Sequence, residues 1–159
     1  MSSPAPGPVG DLGLSGTFRI DRDGAWHHEG IEVTHPGVLR NLFANLRVEG
    51  ESYHLQTGPW RVPVQVDDTA FVVIRAEVAA CPEAFEAYLS DGSREPLDAG
   101  SLELDPRGTP YCRVKRGQFR ARLSLAAWLQ LAENVRLDPT SGEAVLTLGY
   151  QRLVLRQAE

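Results

Sequence analysis

At 159 residues, with 42% hydrophobic and 23% charged side chains, the chain is long enough for one compact body or two small halves and too short for a large modular enzyme. Its fifteen glycines and eleven prolines are spread along the sequence, which favours many turns and short strands over a helical bundle and predicts a strand-rich α+β fold. A net charge of -5 opposes general affinity for nucleic acid, no apolar run approaches the ~20 residues that cross a bilayer, and Met1 to Gly16 lacks the regions of a secretion signal. A cytoplasmic protein with no nucleic-acid or membrane partner is expected.

Residues 1–14, rich in Ser, Pro and Gly, read as a disordered tail ahead of an N-terminal α+β unit over 15–68 and a C-terminal unit over 69–159. Phe18 and Ile20 alternate with Arg19 and Asp21, and Asp23-Gly24 supplies a turn before Trp26, so the first unit opens with a hairpin. Thr34-His35-Pro36 starts a helix, since a proline in the first turn gives up an N–H that has no intrahelical partner there. Val38, Leu39, Leu42, Phe43 and Leu46 recur at the helical period and form its apolar stripe. Strands over Tyr53–Gln56 and Arg61–Val66 follow, with Val62, Val64 and Val66 on one face; Pro63, which cannot donate to a ladder, marks an edge or a bulge.

Phe71 to Val78 is an apolar run, Phe85, Ala87 and Leu89 alternate up to an Asp91-Gly92 turn, and Leu102 and Leu104 bracket Glu103, which predicts three or four further strands enlarging the second sheet. Pro110–Lys115 and Gln118–Leu123 flank Arg116-Gly117 as another hairpin. Ser124 is a good N-cap for a second helix, whose predicted buried stripe is Leu125, Trp128, Leu129, Ala132 and Val135. Ala144–Leu148 and Gln151–Arg156 close the chain as strands.

The order of these signals repeats. Gly16-Thr17, a hairpin, a helix and Asn45-Leu46-Arg47-Val48-Glu49 recur as Gly108-Thr109, a hairpin, a helix and Asn134-Val135-Arg136-Leu137-Asp138. Gly58 ahead of Arg61-Val62-Pro63-Val64 has its counterpart in Gly149 ahead of Arg152-Leu153-Val154-Leu155. Recurrence in fixed order is hard to produce by composition and predicts duplicated hairpin-helix-hairpin units.

Chemistry-bearing groups are sparse. Cys81 and Cys112 have neither metal-ligand nor redox spacing and read as reduced thiols. His27, His28, Glu29 and His35 come nearest to a metal cluster, but consecutive histidines on a strand point to opposite faces, so surface or turn histidines are the plainer reading. No metal, cofactor or catalytic residue is assigned, since neither a nucleophile elbow nor a Gly-rich phosphate loop is present. Asp67-Asp68 either serves acid/base chemistry or simply ends a strand in solvent. Arg107, Arg113, Lys115, Arg116, Arg120 and Arg122 fall within sixteen residues that contain no acid. Guanidinium groups fit phosphate or carboxylate bidentately, and Tyr111 and Phe119 offer rings for stacking. The competing reading is a solvated hairpin face balanced by Glu83, Glu86, Asp98, Glu103 and Asp105, with Trp26 and Trp60 as packing residues.

The run Phe18-Arg19-Ile20-Asp21-Arg22-Asp23-Gly24-Ala25-Trp26, then Glu29-Gly30, Leu39-Arg40-Asn41-Leu42-Phe43 and Val62-Pro63-Val64-Gln65-Val66-Asp67-Asp68-Thr69-Ala70-Phe71-Val72 resemble the bacterial DUF1285 family. Pro110-Tyr111 followed by Arg113-Val114 and Gly117 resembles its second-half hairpin. The resemblance implies a two-part α+β fold with duplicated motifs, a C-terminal half like a pleckstrin-homology sheet plus helix, and a cleft between the halves for a nucleotide-like ligand in signal transduction, with no established enzymatic activity. The resulting expectation is a non-enzymatic binder of a small anionic molecule. Arg113, Lys115 and Arg116 hold phosphate or carboxylate, Tyr111 or Trp26 stacks, and Arg61 or Asp67 selects the ligand from the other wall. The alternative is a protein-interaction module with a protein partner and no small ligand. A third reading is a hydrolase or metal enzyme on His27, His28, Glu29 or Asp67-Asp68.

Overall fold

The computed structural model describes residues 16–78, 85–148 and 151–157, so the tail expected over 1–14 and the positions of Cys81, Glu83 and Gly149 lie outside the described residues. The chain divides into two compact units, Met1–Thr69 and Ala70–Glu159, and the fold is α+β, mostly sheet with a helix in each unit among the described residues.

In the first unit the predicted hairpin is β1 (Phe18–Ile20) and β2 (Trp26–His28), followed by β3 (Ile31–Glu32), α1 (Pro36–Asn45), β4 (Leu46–Glu49), β5 (Ser52–Thr57) and β6 (Trp60–Val66). Asp21 makes the turn by accepting the amides of Asp23 and Ala25, each at 2.9 Å, while Gly24 bends back to the Asp21 carbonyl with a φ of 88°. The six-stranded sheet runs β3-β2-β1-β6-β5-β4, antiparallel except where β1 lies parallel to β6. Period-two alternation puts Phe18, Ile20, Trp26, Leu46, Leu55 and Val64 in the core with Leu42 of α1, and turns Arg19, His27 and Gln65 to the opposite face. His27 and His28 therefore diverge: His28 stacks on Phe18 at 4.4 Å, whereas His27 pairs with Asp21.

Two local expectations take a more specific form. Pro36 opens α1, and the cap is His35, whose Nδ1 accepts the amides of Gly37 at 3.1 Å and Val38 at 3.4 Å. Pro63 sits in an interior strand, yet β1 pairs only with Val64–Val66, so the proline stands just beyond the ladder on that side.

Among its described residues the second unit comprises β7 (Phe71–Val78), β8 (Phe85–Leu89), β9 (Arg94–Pro96), β10 (Glu103–Leu104), β11 (Pro110–Val114), β12 (Phe119–Leu123), α2 (Leu125–Ala132), β13 (Val135–Leu137), β14 (Ala144–Leu148), β15 (Gln151–Val154) and β16 (Arg156–Gln157), with a 3-10 turn at Ala99–Ser101. One sheet is seven-stranded, β16-β10-β11-β12-β7-β8-β9; the other is a three-stranded meander, β13-β14-β15. The duplicated order of elements is present, hairpin, helix and meander in both units, but the units close differently. In the first, the last meander strand β6 returns beside β1. In the second, β10 occupies the place beside β11 and takes β16 as its parallel partner, leaving the meander as a separate sheet.

The stripe predicted for α2 is out of phase. Ala127 and Leu131 are its buried residues, whereas Leu125 is 71% and Leu129 57% exposed. An almost wholly apolar helix carries little information about which side it buries. Packing decided it instead: β12 stops pairing with β7 at Val73, Ser124 caps the helix and bonds the Ile74 carbonyl, and Gln130 turns inward to accept the Ala76 amide at 2.8 Å.

Candidate functional site

The basic hairpin turns on three successive residues in the left-handed region, Lys115 (φ 55°), Arg116 (φ 58°) and Gly117 (φ 79°). Gly117 adopts this geometry at no cost, whereas the two side-chain-bearing residues do so only where other contacts impose it. For Lys115 those contacts are visible. Its amide donates to both carboxylate oxygens of Glu95, at 3.1 and 3.2 Å, and its Nζ reaches Asp91 at 2.7 Å and the Ser93 hydroxyl at 2.8 Å. The ammonium also lies 5.4 Å from the centre of the Phe71 ring. Because β9 is an edge strand and β11 lies near the other edge, these bonds show that the sheet curls until β9 meets the β11–β12 turn.

Burial pulls the Asp91 carboxyl upward, but the hydrogen bonds from Lys115 and Ser93 outweigh it and hold the group below the usual carboxylate range. Lys115 is thus committed to Asp91, an ion pair whose carboxylate side chain is only 12% exposed. It pins the curl of the sheet, and its ammonium charge is shared with Asp91.

Around this turn lies a cavity of about 540 Å³ lined by Glu95, Pro96, Asp98, Arg113, Lys115, Arg116 and Gly117. Three of the residues predicted from sequence, Arg113, Lys115 and Arg116, therefore converge. The Arg113 and Arg116 side chains are exposed, and among the described residues neither guanidinium has an ion-pair partner. Glu95, Pro96 and Asp98 were not anticipated as lining: the Asp91-Gly92 turn was legible, but nothing local says that the strand after it closes onto Lys115.

The remaining predicted residues are each engaged by neighbours within their own unit. Trp26 is 1% exposed and packs edge-on to Phe18 and Phe43, so its ring is core and presents no face to a ligand. Tyr111 is 4% exposed, and the Arg120 guanidinium covers its ring at 3.7 Å while also reaching Glu103 at 3.6 Å. Arg61 pairs with Glu49 at 2.8 Å. Asp67 receives the fork of Arg19, with Nε at 2.9 Å, and that hydrogen bond holds the carboxyl below its usual range. Cys112, 1% exposed, has its thiol pushed up to about 12 by burial and by the charges of Glu95 and Asp98, which leaves it protonated and inert.

A second cavity, of about 510 Å³, lies on the polar face of the first unit's sheet, lined among others by Thr17, Arg19, His27, Gly30, Pro63 and Gln65. His27 Nε2 meets Asp21 at 2.8 Å, and Glu29 accepts the Thr17 amide at 2.7 Å. A side chain at Gly16 would stand 1.7 Å from the Glu29 carboxylate. The charged groups here already satisfy one another. Among the described residues no group of three or more His, Cys, Asp or Glu side chains could hold a metal ion, and no helix is long and apolar enough to cross a membrane.

Residues 6–69 match the family model described as the N-terminal domain of a domain of unknown function, DUF1285. The fold resembles a DUF1285 family protein from Silicibacter pomeroyi at 24% identity and a TM-score of 0.73, covering 98% of this chain and 90% of that one. It also resembles a DUF1285 family protein from Shewanella baltica at 21% identity and a TM-score of 0.64, covering 74% of this chain and 91% of that one. No curated protein matches the chain.

Proposed function

Because residues 6–69 of this chain belong to the DUF1285 family of unknown function, we propose on physical grounds that the protein is a non-enzymatic binder of a small anionic, nucleotide-like molecule acting in signal transduction. The anion sits in the cavity of the second unit, held by Arg113 and Arg116. The observation that carries this reading is the meeting, on one cavity of about 540 Å³, of two exposed guanidinium groups with no ion-pair partner among the described residues, beside a backbone turn bent against its steric preference. Lys115 supports the site by fixing the turn. Tyr111 and Trp26 take no part, so a base or ring on the ligand finds no aromatic shelf there and affinity comes from the anionic end. The second unit is taken as pleckstrin-homology-like, on the strength of a curled sheet followed directly by one helix.

Thermal denaturation with added phosphate or adenosine monophosphate tests the proposal. At about tenfold its Kd a ligand stabilises the fold by about 1.4 kcal/mol, which is about 3–6 °C for a chain of this size. Arg113→Ala with Arg116→Ala removes the shift without altering the unliganded melting temperature. No shift in the wild type at about 10 mM anion, or an equal shift in the double variant, overturns it.

A further inference from the structure

Three carboxyl-bearing or basic groups of the cavity remain unmatched, and they are of opposite sign. Both Glu95 oxygens accept the Lys115 amide, which fixes that carboxylate in place and leaves its charge on the cavity wall, while the Lys115 ammonium is paired with Asp91. Asp98, exposed at the mouth of the 3-10 turn, has no hydrogen bond or ion pair on its carboxylate among the described residues. Arg113 and Arg116 line the same cavity and, among the described residues, make no ion pair with Asp98. Exposed opposite charges that share a concavity and do not close on each other leave it with a positive and a negative pole.

Resting on the anion-binding reading above, the geometry points to a zwitterionic ligand: a phosphate or carboxylate at one end, held by Arg113 and Arg116, and an ammonium at the other, facing Asp98. A bare anion placed against the two guanidinium groups feels the Asp98 charge as a repulsion. A ligand that carries its own cation turns the same charge into an attraction, so Asp98 discriminates between molecules that the arginines treat alike. Selection of this kind combines an attractive contact for one ligand with a repulsive one for its competitor.

Two phosphates of nearly equal size separate the possibilities, O-phosphoethanolamine with an ammonium and 2-hydroxyethyl phosphate with a hydroxyl in its place. Their affinities are read by calorimetric titration of the full chain at about 20 mM salt, where exposed charges are weakly screened. The aminated phosphate binds the wild type about fivefold tighter, the factor for one charge contact at a solvated surface. In Asp98→Asn, whose exposed carboxylate makes no hydrogen bond or ion pair among the described residues, the two bind within about twofold of each other. Arg113→Ala with Arg116→Ala abolishes both. Equal binding of the two phosphates by the wild type, or a preference that survives undiminished in Asp98→Asn, overturns the inference and leaves the anion site standing. Failure of both phosphates to bind the wild type overturns the anion site and the inference with it.

Discussion

Lys115 and Arg116 share one backbone conformation and differ in what holds them there. Each left-handed residue with a side chain costs about 1–2 kcal/mol. Lys115 offsets that cost with its bonds to Glu95, Asp91 and Ser93, whereas the Arg116 side chain makes no ion pair among the described residues. Glycine at the two positions is therefore expected to act in opposite directions. Arg116→Gly relieves strain and raises stability by about 0.5–1 kcal/mol, the gain being trimmed by the greater freedom of the unfolded chain. Lys115→Gly strands a largely buried Asp91 carboxylate and costs about 1.5–3 kcal/mol. Urea denaturation reads both, and a stabilised Arg116→Gly that also binds phosphate less tightly marks a residue kept for its charge at the expense of the fold. The turn itself was legible as Arg116-Gly117. The engagement of Lys115 was not, because its partners lie twenty and more residues away.

The second helix shows the limit of periodicity as a guide to an element. Its apolar residues place Leu129 in the buried stripe, whereas the structure turns Leu129 outward and brings Gln130 onto the sheet. Gln130 supplies the acceptor for an Ala76 amide left open where β12 ends, in a residue that is 1% exposed, while Leu129 is 57% exposed. Gln130→Ala is thus expected to destabilise by about 1–2 kcal/mol, since a buried donor loses its partner. Leu129→Ala should stay within about 0.5 kcal/mol of the wild type. Thermal denaturation of the two variants side by side settles the matter, and a larger loss for Leu129→Ala would contradict the assignment of faces. In α1 the pattern was a better guide, because polar residues interrupt the apolar ones and leave a single stripe around Leu42.

Across the whole molecule, carboxylates in both units are held below their ordinary range: Asp21, Glu49 and Asp67 in the first, Asp91 and Asp105 in the second. Each releases its proton more readily in the folded chain than in the unfolded one. The stability they confer is complete above the unfolded values, 3.8 for the aspartates and 4.5 for Glu49, and is lost as pH falls through the folded ones. Melting temperature is accordingly expected to hold level from about pH 7 to 5 and to fall below about pH 4. Asp91→Asn, which removes the most enclosed of these groups, should lower the plateau and make the acid decline shallower; an unchanged slope would show that Asp91 does not contribute.

Sequence alone determined the parts of this protein whose causes are local. The hairpins follow from Asp23-Gly24 and Arg116-Gly117, the helix starts from Pro36 and Ser124, and the paired order of elements from a recurrence readable along the chain. Tertiary structure alone decided how the repeats close. It placed β10 and β16 where the first unit has only β6, and it curled the second sheet until Glu95 and Asp98 joined Arg113 and Arg116 around one cavity. The physical reason is range: turn chemistry and periodicity act over a few residues, while strand partnership and sheet curl are set by packing among segments far apart in the chain, and no short stretch of sequence encodes them.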